Sequence, residues 1–142
     1  MDRERLAAQL RLHEGVETKP YKCTAGYLTI GVGRNIEERG LSDDEIDYIL
    51  NNDVDIATSE LASTFDWFAG LDDVRMRVVV DMVFNLGMPR FKQFQNMLSA
   101  IEAEDWSEAA AQMMDSRWAK QVGARAERLR DMMETGEDSS DF

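Results

Sequence analysis

Helical periodicity runs through almost all of this chain and fails in one place, between residues 19 and 34. That single interruption restricts the fold more than any bulk property does. Apolar residues three and four apart mark helix, whereas β-branched and aromatic residues beside turn signals mark strand. Leu6, Leu10 and His13 share a face, with Ala7 beside them, which predicts a first helix over Asp2–His13. Gly15 ends it, because glycine enters the left-handed conformation of a helix end without steric penalty. Pro20 and Tyr21 then suit extended chain, Thr24-Ala25-Gly26 is a turn signal, and Tyr27-Leu28-Thr29-Ile30 is rich in strand formers. The glycines of Gly31-Val32-Gly33 signal a bend or a close backbone approach. A small antiparallel hairpin or sheet is therefore expected over residues 19–34, followed by a polar loop from Asn35 to Gly40.

The sharpest local signal is Leu41-Ser42-Asp43-Asp44-Glu45-Ile46. Ser42 is placed to cap a helix with Glu45 at its third position, a reciprocal capping box, and Leu41 and Ile46 can close over it as a hydrophobic staple. Asp43 and Asp44 fall in the first turn, where the helix dipole favours anions. Ile46, Ile49, Leu50, Val54, Ala57 and Leu61 carry the helical face to about Ser63, long enough to join two lobes. Asp72 can cap a further helix through Met76, Val79, Val80, Val83 and Phe84, whose apolar middle predicts the most buried helix, ended by Gly87 and Pro89. Shorter helices are expected over Phe91–Ala100, Trp106–Met114 and Val122–Met133. Residues 1–136 then form one α+β domain: a small sheet lobe at about 15–41, joined by a long helix to a helical lobe at about 64–134 that includes the N-terminal helix. Residues 137–142 read as an acidic, flexible tail.

Bulk properties exclude several functions. The 142 residues carry a formal net charge of -12, which repels nucleic acid and anionic membranes at long range, so no nucleic-acid partner is expected. The one cysteine, Cys23, makes an intrachain disulfide impossible. The N-terminus MDRERLAAQLRLHEG lacks the apolar core of a secretory signal, and no stretch has the apolar length of a membrane span. A cytoplasmic monomer without cofactor or metal is expected, because one Cys and one His make a thin ligand set.

Three residues stand out chemically. Glu14 closes the first helix, where the negative dipole end and partial burial both favour the protonated form that a general acid needs. The plain alternative is a solvated glutamate at a helix end. Cys23 lies in a polar turn beside Lys22, which favours thiolate, although free cysteines more often serve as packing residues. A Cys–His pair with His13 is open on composition, without any local signature for it. Thr29 is either a β-branched strand former or a hydroxyl that fixes a water molecule in a cleft. Arg125 and Arg128, one turn apart, are either a solvated basic patch or partners for carboxylates elsewhere.

The run EGVETKPYKCTAGYLTIGVGR from Glu14 to Arg34 resembles the catalytic region of the phage T4-type lysozymes, with Glu14, Gly15, Tyr21, Gly26, Thr29, Ile30, Gly31 and Gly33 at matching spacing. DMVFNLG at Asp81–Gly87 and SRWAKQVGARAERL at Ser116–Leu129 resemble segments of the same family's helical lobe, so the likeness extends from about Leu6 to about Gly136. The resemblance implies a lysozyme-like fold and hydrolysis of the β-1,4 bond between N-acetylmuramic acid and N-acetylglucosamine in bacterial peptidoglycan, with inversion. It implies Glu14 as general acid and Thr29 as the group orienting the attacking water. Cys23 stands where the family has its catalytic aspartate, as a base, an electrostatic stabiliser or a nucleophile. Gly33, Asn35, Phe84, Gln112 and Arg125 take substrate-binding or supporting positions, Arg125 as the arginine that pairs near the glutamate. Arg34 stands where the family has a histidine after the Gly-x-Gly turn. The physiological setting the resemblance implies is host lysis, with a separate holin-like protein opening the membrane. The alternatives are a peptidoglycan-binding module and a Cys-dependent peptidase or amidase.

Overall fold

Five of the helices begin where a side chain, of Asp2, Ser42, Asp72, Asp105 or Ser116, accepts an amide proton that the first turn leaves without a partner. The structure, a computed structural model, describes all residues from Met1 to Phe142. They divide into two compact units, Met1–Ile49 and Leu50–Phe142.

In the first unit, α1 spans Arg3–Glu14; Asp2 accepts a hydrogen bond from the Arg5 amide at its start, and the Gly15 amide donates to the Arg11 carbonyl at its end. The expected hairpin is a three-stranded antiparallel sheet in the order β1 (Glu17–Lys22), β2 (Leu28–Gly31), β3 (Arg34–Asn35). Pro20, which has no amide hydrogen to give, lies on the edge strand β1, within the register irregularity between Glu17 and Tyr21. The Cys23 amide donates to the Tyr27 carbonyl and the Gly26 amide to the Cys23 carbonyl, so Thr24-Ala25-Gly26 is the hairpin loop, with Gly26 at positive φ. Asn35, expected as loop, joins Arg34 in β3 instead: Ile30 faces Arg34 and Thr29 faces Asn35.

The long helix α2 (Asp43–Thr64) runs from the first unit into the second. Its capping box forms as the sequence indicates: Ser42 Oγ accepts from the Glu45 amide, and Glu45 Oε1 accepts from the Ser42 amide. Leu41 and Ile46 remain 44% and 48% exposed, so reciprocal hydrogen bonds rather than apolar closure secure this end.

The second unit holds the core. α3 (Asp73–Leu86), capped by Asp72, buries Val78, Val79, Met82 and Val83. This corrects the expected stripe: Phe84 is 47% exposed, and Met76 and Val80 only partly buried. The helix is apolar on two faces, and periodicity does not decide between them. α4 (Met88–Phe91) follows Gly87 at once, with Pro89 in its first turn, where a missing amide costs nothing. The expected Phe91–Ala100 helix is α5 (Gln95–Glu102). α6 (Trp106–Met114) begins at Asp105, which accepts from the Glu108 amide. The expected Val122–Met133 helix is α8 (Ala124–Thr135), and an unexpected short helix, α7 (Arg117–Val122), precedes it, separated by Gly123 at φ 57.

Five methionines, Met82, Met97, Met113, Met132 and Met133, fill the core beside Phe91, Leu61 and Ile101, and their flexible chains suit the irregular gaps between short helices. Arg75 locks α3 to the end of α8: Nε donates to the Met133 carbonyl (2.7 Å) and one Nη to the Glu134 carbonyl (3.0 Å), while the guanidinium lies 4.2 Å from the Trp106 ring centroid. In the acidic tail, Asp138 accepts two hydrogen bonds from Arg77. No helix is long and apolar enough to cross a membrane.

Candidate active site

Glu14, Cys23, Thr29, Gly33 and Asn35 belong to the first unit, and Phe84, Gln112 and Arg125 to the second. In the first unit the candidates fall into two groups, each built by the sheet. Glu14 is the last residue of α1, and the partial burial expected for it is not found, because it is exposed. Its side chain lies along the bare Cα of Gly33: a Cβ there would fall 2.8 Å from Glu14 Oε2 and 3.2 Å from Cδ. Gly33 also sits at φ +68, a region L side chains rarely adopt. The close approach suggested by Gly31-Val32-Gly33 is thus an approach to Glu14.

Thr29 and Cys23 form the second group. Thr29, in the central strand, is 3% exposed, the one buried polar residue of the chain, and its hydroxyl donates to the Tyr27 carbonyl at 2.9 Å. With that proton committed, Oγ1 keeps lone pairs to accept a hydrogen bond from water. Cys23 is partly exposed at the start of the hairpin loop. The amides of Tyr27 and then Ala25 hold its thiol below the ordinary range; partial burial opposes them, and the Gly26 amide reinforces them. The source is the loop's own backbone rather than the expected Lys22. Lowering the pKa enlarges the thiolate fraction, the form that accepts a proton or attacks carbon. Asn35, opposite Thr29 across β2 and β3, uses Oδ1 to accept from the Glu38 amide, which shapes the turn that follows.

In the second unit, Phe84 and Arg125 line one cavity of about 520 Å³ together with Leu50, Val54, Met76 and Val80. Gln112 lines another, of about 440 Å³, with Trp118, Arg90 and Arg117. Its amide donates to Glu108 within α6. The Arg125 guanidinium is held by Asp81, whose Oδ1 accepts from Nε at 2.9 Å and from Nη2 at 2.7 Å. Arg125 therefore pairs with a carboxylate, as the sequence allowed, and the partner lies 44 residues away on α3.

Two partners of these candidate residues and their neighbours escape a reading of the sequence. Asp81 is the one charged residue in the run from Val78 to Leu86, and that oddity is its only signal. The other is Glu45, which accepts from Arg34 while also completing the capping box, and whose carboxyl is pulled down to about 2, chiefly by Arg34 and then by Ser42. No group of three or more His, Cys, Asp or Glu side chains converges as a metal-ligand set.

The family model for phage lysozyme matches residues 11–133. A probable T4-type lysozyme of Dictyostelium discoideum is 28% identical over 156 residues, covering 89% of this chain and 92% of its own. The pre-baseplate central spike protein Gp5 of Enterobacteria phage T4 is 28% identical over 92% of this chain but only 28% of its own length. An endolysin from a phage of an Acyrthosiphon pisum secondary endosymbiont is 27% identical over 78% of this chain and 75% of its own.

Proposed function

The chain belongs to the phage lysozyme family, and from that premise we propose that it is a muramidase cleaving the β-1,4 bond between N-acetylmuramic acid and N-acetylglucosamine. The observation that carries this reading is the placement of Glu14: a solvent-facing carboxyl at the end of α1, set against the Gly33 backbone. A general acid needs such a placement, within reach of the oxygen to which it gives its proton.

Glu14 donates its proton to the glycosidic oxygen as the bond from C1 breaks and the sugar gains oxocarbenium character. Water, hydrogen-bonded to Thr29 Oγ1, attacks C1 from the opposite face. Its proton passes to the Cys23 thiolate, which becomes a thiol and later returns the proton to solvent, while Glu14 is reprotonated from solvent. This route inverts C1. Direct attack by Cys23 sulfur on C1 would instead form a thioglycosyl intermediate and, after hydrolysis, retain configuration. We favour the base role because the lowered thiol sits beside the Thr29 hydroxyl that would hold the water. The endolysin relative supports a role in host lysis, for which we propose that a separate protein opens the membrane.

The test is clearing of purified cell walls by wild type and by Glu14→Gln, with mass spectrometry of the soluble products. The reading requires new reducing ends at muramic acid from wild type and their loss in Glu14→Gln. Intact glycan strands would reduce the protein to a binding module, and cleaved peptide stems would make it a Cys-dependent peptidase or amidase.

A further inference from the structure

The proton donor must be held as well as present, and the wall that holds it is a glycine with no side-chain anchor of its own. Glu14 lies against Gly33, in the short connection between β2 and β3. Gly31 and Gly33 both sit at positive φ, and glycine restricts its own backbone least. Something else must fix this connection.

The next residue does so on two sides. The Arg34 backbone pairs with Ile30 across the sheet. Its guanidinium reaches along the following turn, donating to the Glu45 carboxylate and, at 3.4 Å, to the Gly40 carbonyl. Glu45 is a firm anchor, because its other oxygen accepts from the Ser42 amide at the start of α2. The pair is also partly withdrawn from water, with side-chain exposures of 25% for Arg34 and 36% for Glu45. Met1–Ile49 contains no buried apolar side chain, so its connections depend on such polar ties rather than on a core.

We propose that Arg34 and Glu45 are positioning residues for catalysis: their ion pair ties the Gly31–Gly33 connection to the first turn of α2 and so holds the backbone wall against which Glu14 presents its proton. The proposal rests on the reading of Glu14 as the general acid. Neither residue touches substrate in this account; both act through Gly33. The Arg34 guanidinium and Ser42 hold the Glu45 carboxyl down to about 2, so the tie persists at neutral pH. Release of the tie lets the wall move, and a small misplacement of a catalytic group far outweighs its effect on folding.

The test compares Arg34→Met, Glu45→Gln and the double variant with wild type, reading kcat and KM on soluble glycan oligomers. The Gly33 amide and the Glu14 side-chain carboxyl carbon are followed in parallel by NMR. Gln at position 45 still accepts from the Ser42 amide, so the helix cap survives while the charge is lost. Each single change should lower kcat about tenfold with KM within about twofold, and the double variant should be no worse than either single. Arg34→Lys should recover part of kcat, and both NMR signals should move in Arg34→Met and Glu45→Gln. Unchanged kcat in the folded variants, losses that multiply in the double variant, or unmoved Gly33 and Glu14 resonances would overturn the proposal. If wild type releases no new reducing ends, the muramidase reading fails on its own. The two resonances then still decide whether the pair holds the Gly33–Glu14 contact.

Discussion

Replacing Gly33 with alanine separates stability from catalysis in a way the geometry predicts in detail. The new Cβ would lie 2.8 Å from Glu14 Oε2, where ordinary contact begins near 3.4 Å, so the two must part by about 0.6 Å. The atom in the way is the far end of a flexible side chain, and Glu14 can turn aside cheaply. The positive φ is the larger folding cost, about 1–2 kcal/mol for a residue with a Cβ, or a few degrees in Tm for a chain of this size. Catalysis has no such escape, because the displaced atom is the proton donor. A displacement near 1 Å at a reacting group costs about a hundredfold, so Gly33→Ala should lose roughly ten- to a hundredfold in kcat. Thermal unfolding and initial rates on soluble glycan, measured on the same preparation, give both quantities. An alanine variant with kcat within twofold of wild type would refute the reasoning, since Glu14 would then not depend on that wall.

Three further outcomes follow from the same structure. Arg75→Ala removes two hydrogen bonds to the last carbonyls of α8 and the contact with Trp106, and should destabilise the helical unit by about 2–3 kcal/mol in denaturant unfolding followed by tryptophan fluorescence. Glu45 is depressed from 4.5 to about 2, so its stabilising interactions are complete above about 4.5 and are lost as pH falls from there through about 2. Amide exchange at Ser42 and Glu45 should quicken across that window, beyond its intrinsic pH dependence, in wild type and much less in Glu45→Gln. The lowered Cys23 thiol should alkylate with a pH midpoint below that of free cysteine, and blocking it should slow glycan cleavage. Full turnover after complete blocking would remove Cys23 from the mechanism.

What was legible in the sequence was legible for local reasons. The Ser42–Glu45 capping box, the Asp72 cap and the Gly15 and Gly87 stops each involve residues within a turn of one another, and all appear where the pattern puts them. The short helix α7 escapes the pattern because its six residues are too few to show a periodicity, and Val122, which reads as the start of the last helix, is its final residue, with Gly123 at φ 57 between the two. On α3, Met76, Val80 and Phe84 look as apolar as Val78, Val79, Met82 and Val83. Which stripe enters the core depends on partners distant in sequence, Ala109 and Leu129 among them. The same limit governs the site. Glu14 and Thr29 stood out by position, but the tie from Arg34 to Glu45 and the clasp of Arg125 by Asp81 join residues 11 and 44 apart, which no local pattern encodes.

The most direct measurement of the central claim is cleavage of a defined, peptide-free glycan oligomer in water enriched in oxygen-18, with wild type beside Glu14→Gln. The account predicts one heavy oxygen at C1 of a new muramic acid reducing end, released in the α configuration by wild type and not released by Glu14→Gln. Cleavage that survives Glu14→Gln, or an oligomer left intact by wild type, would contradict it.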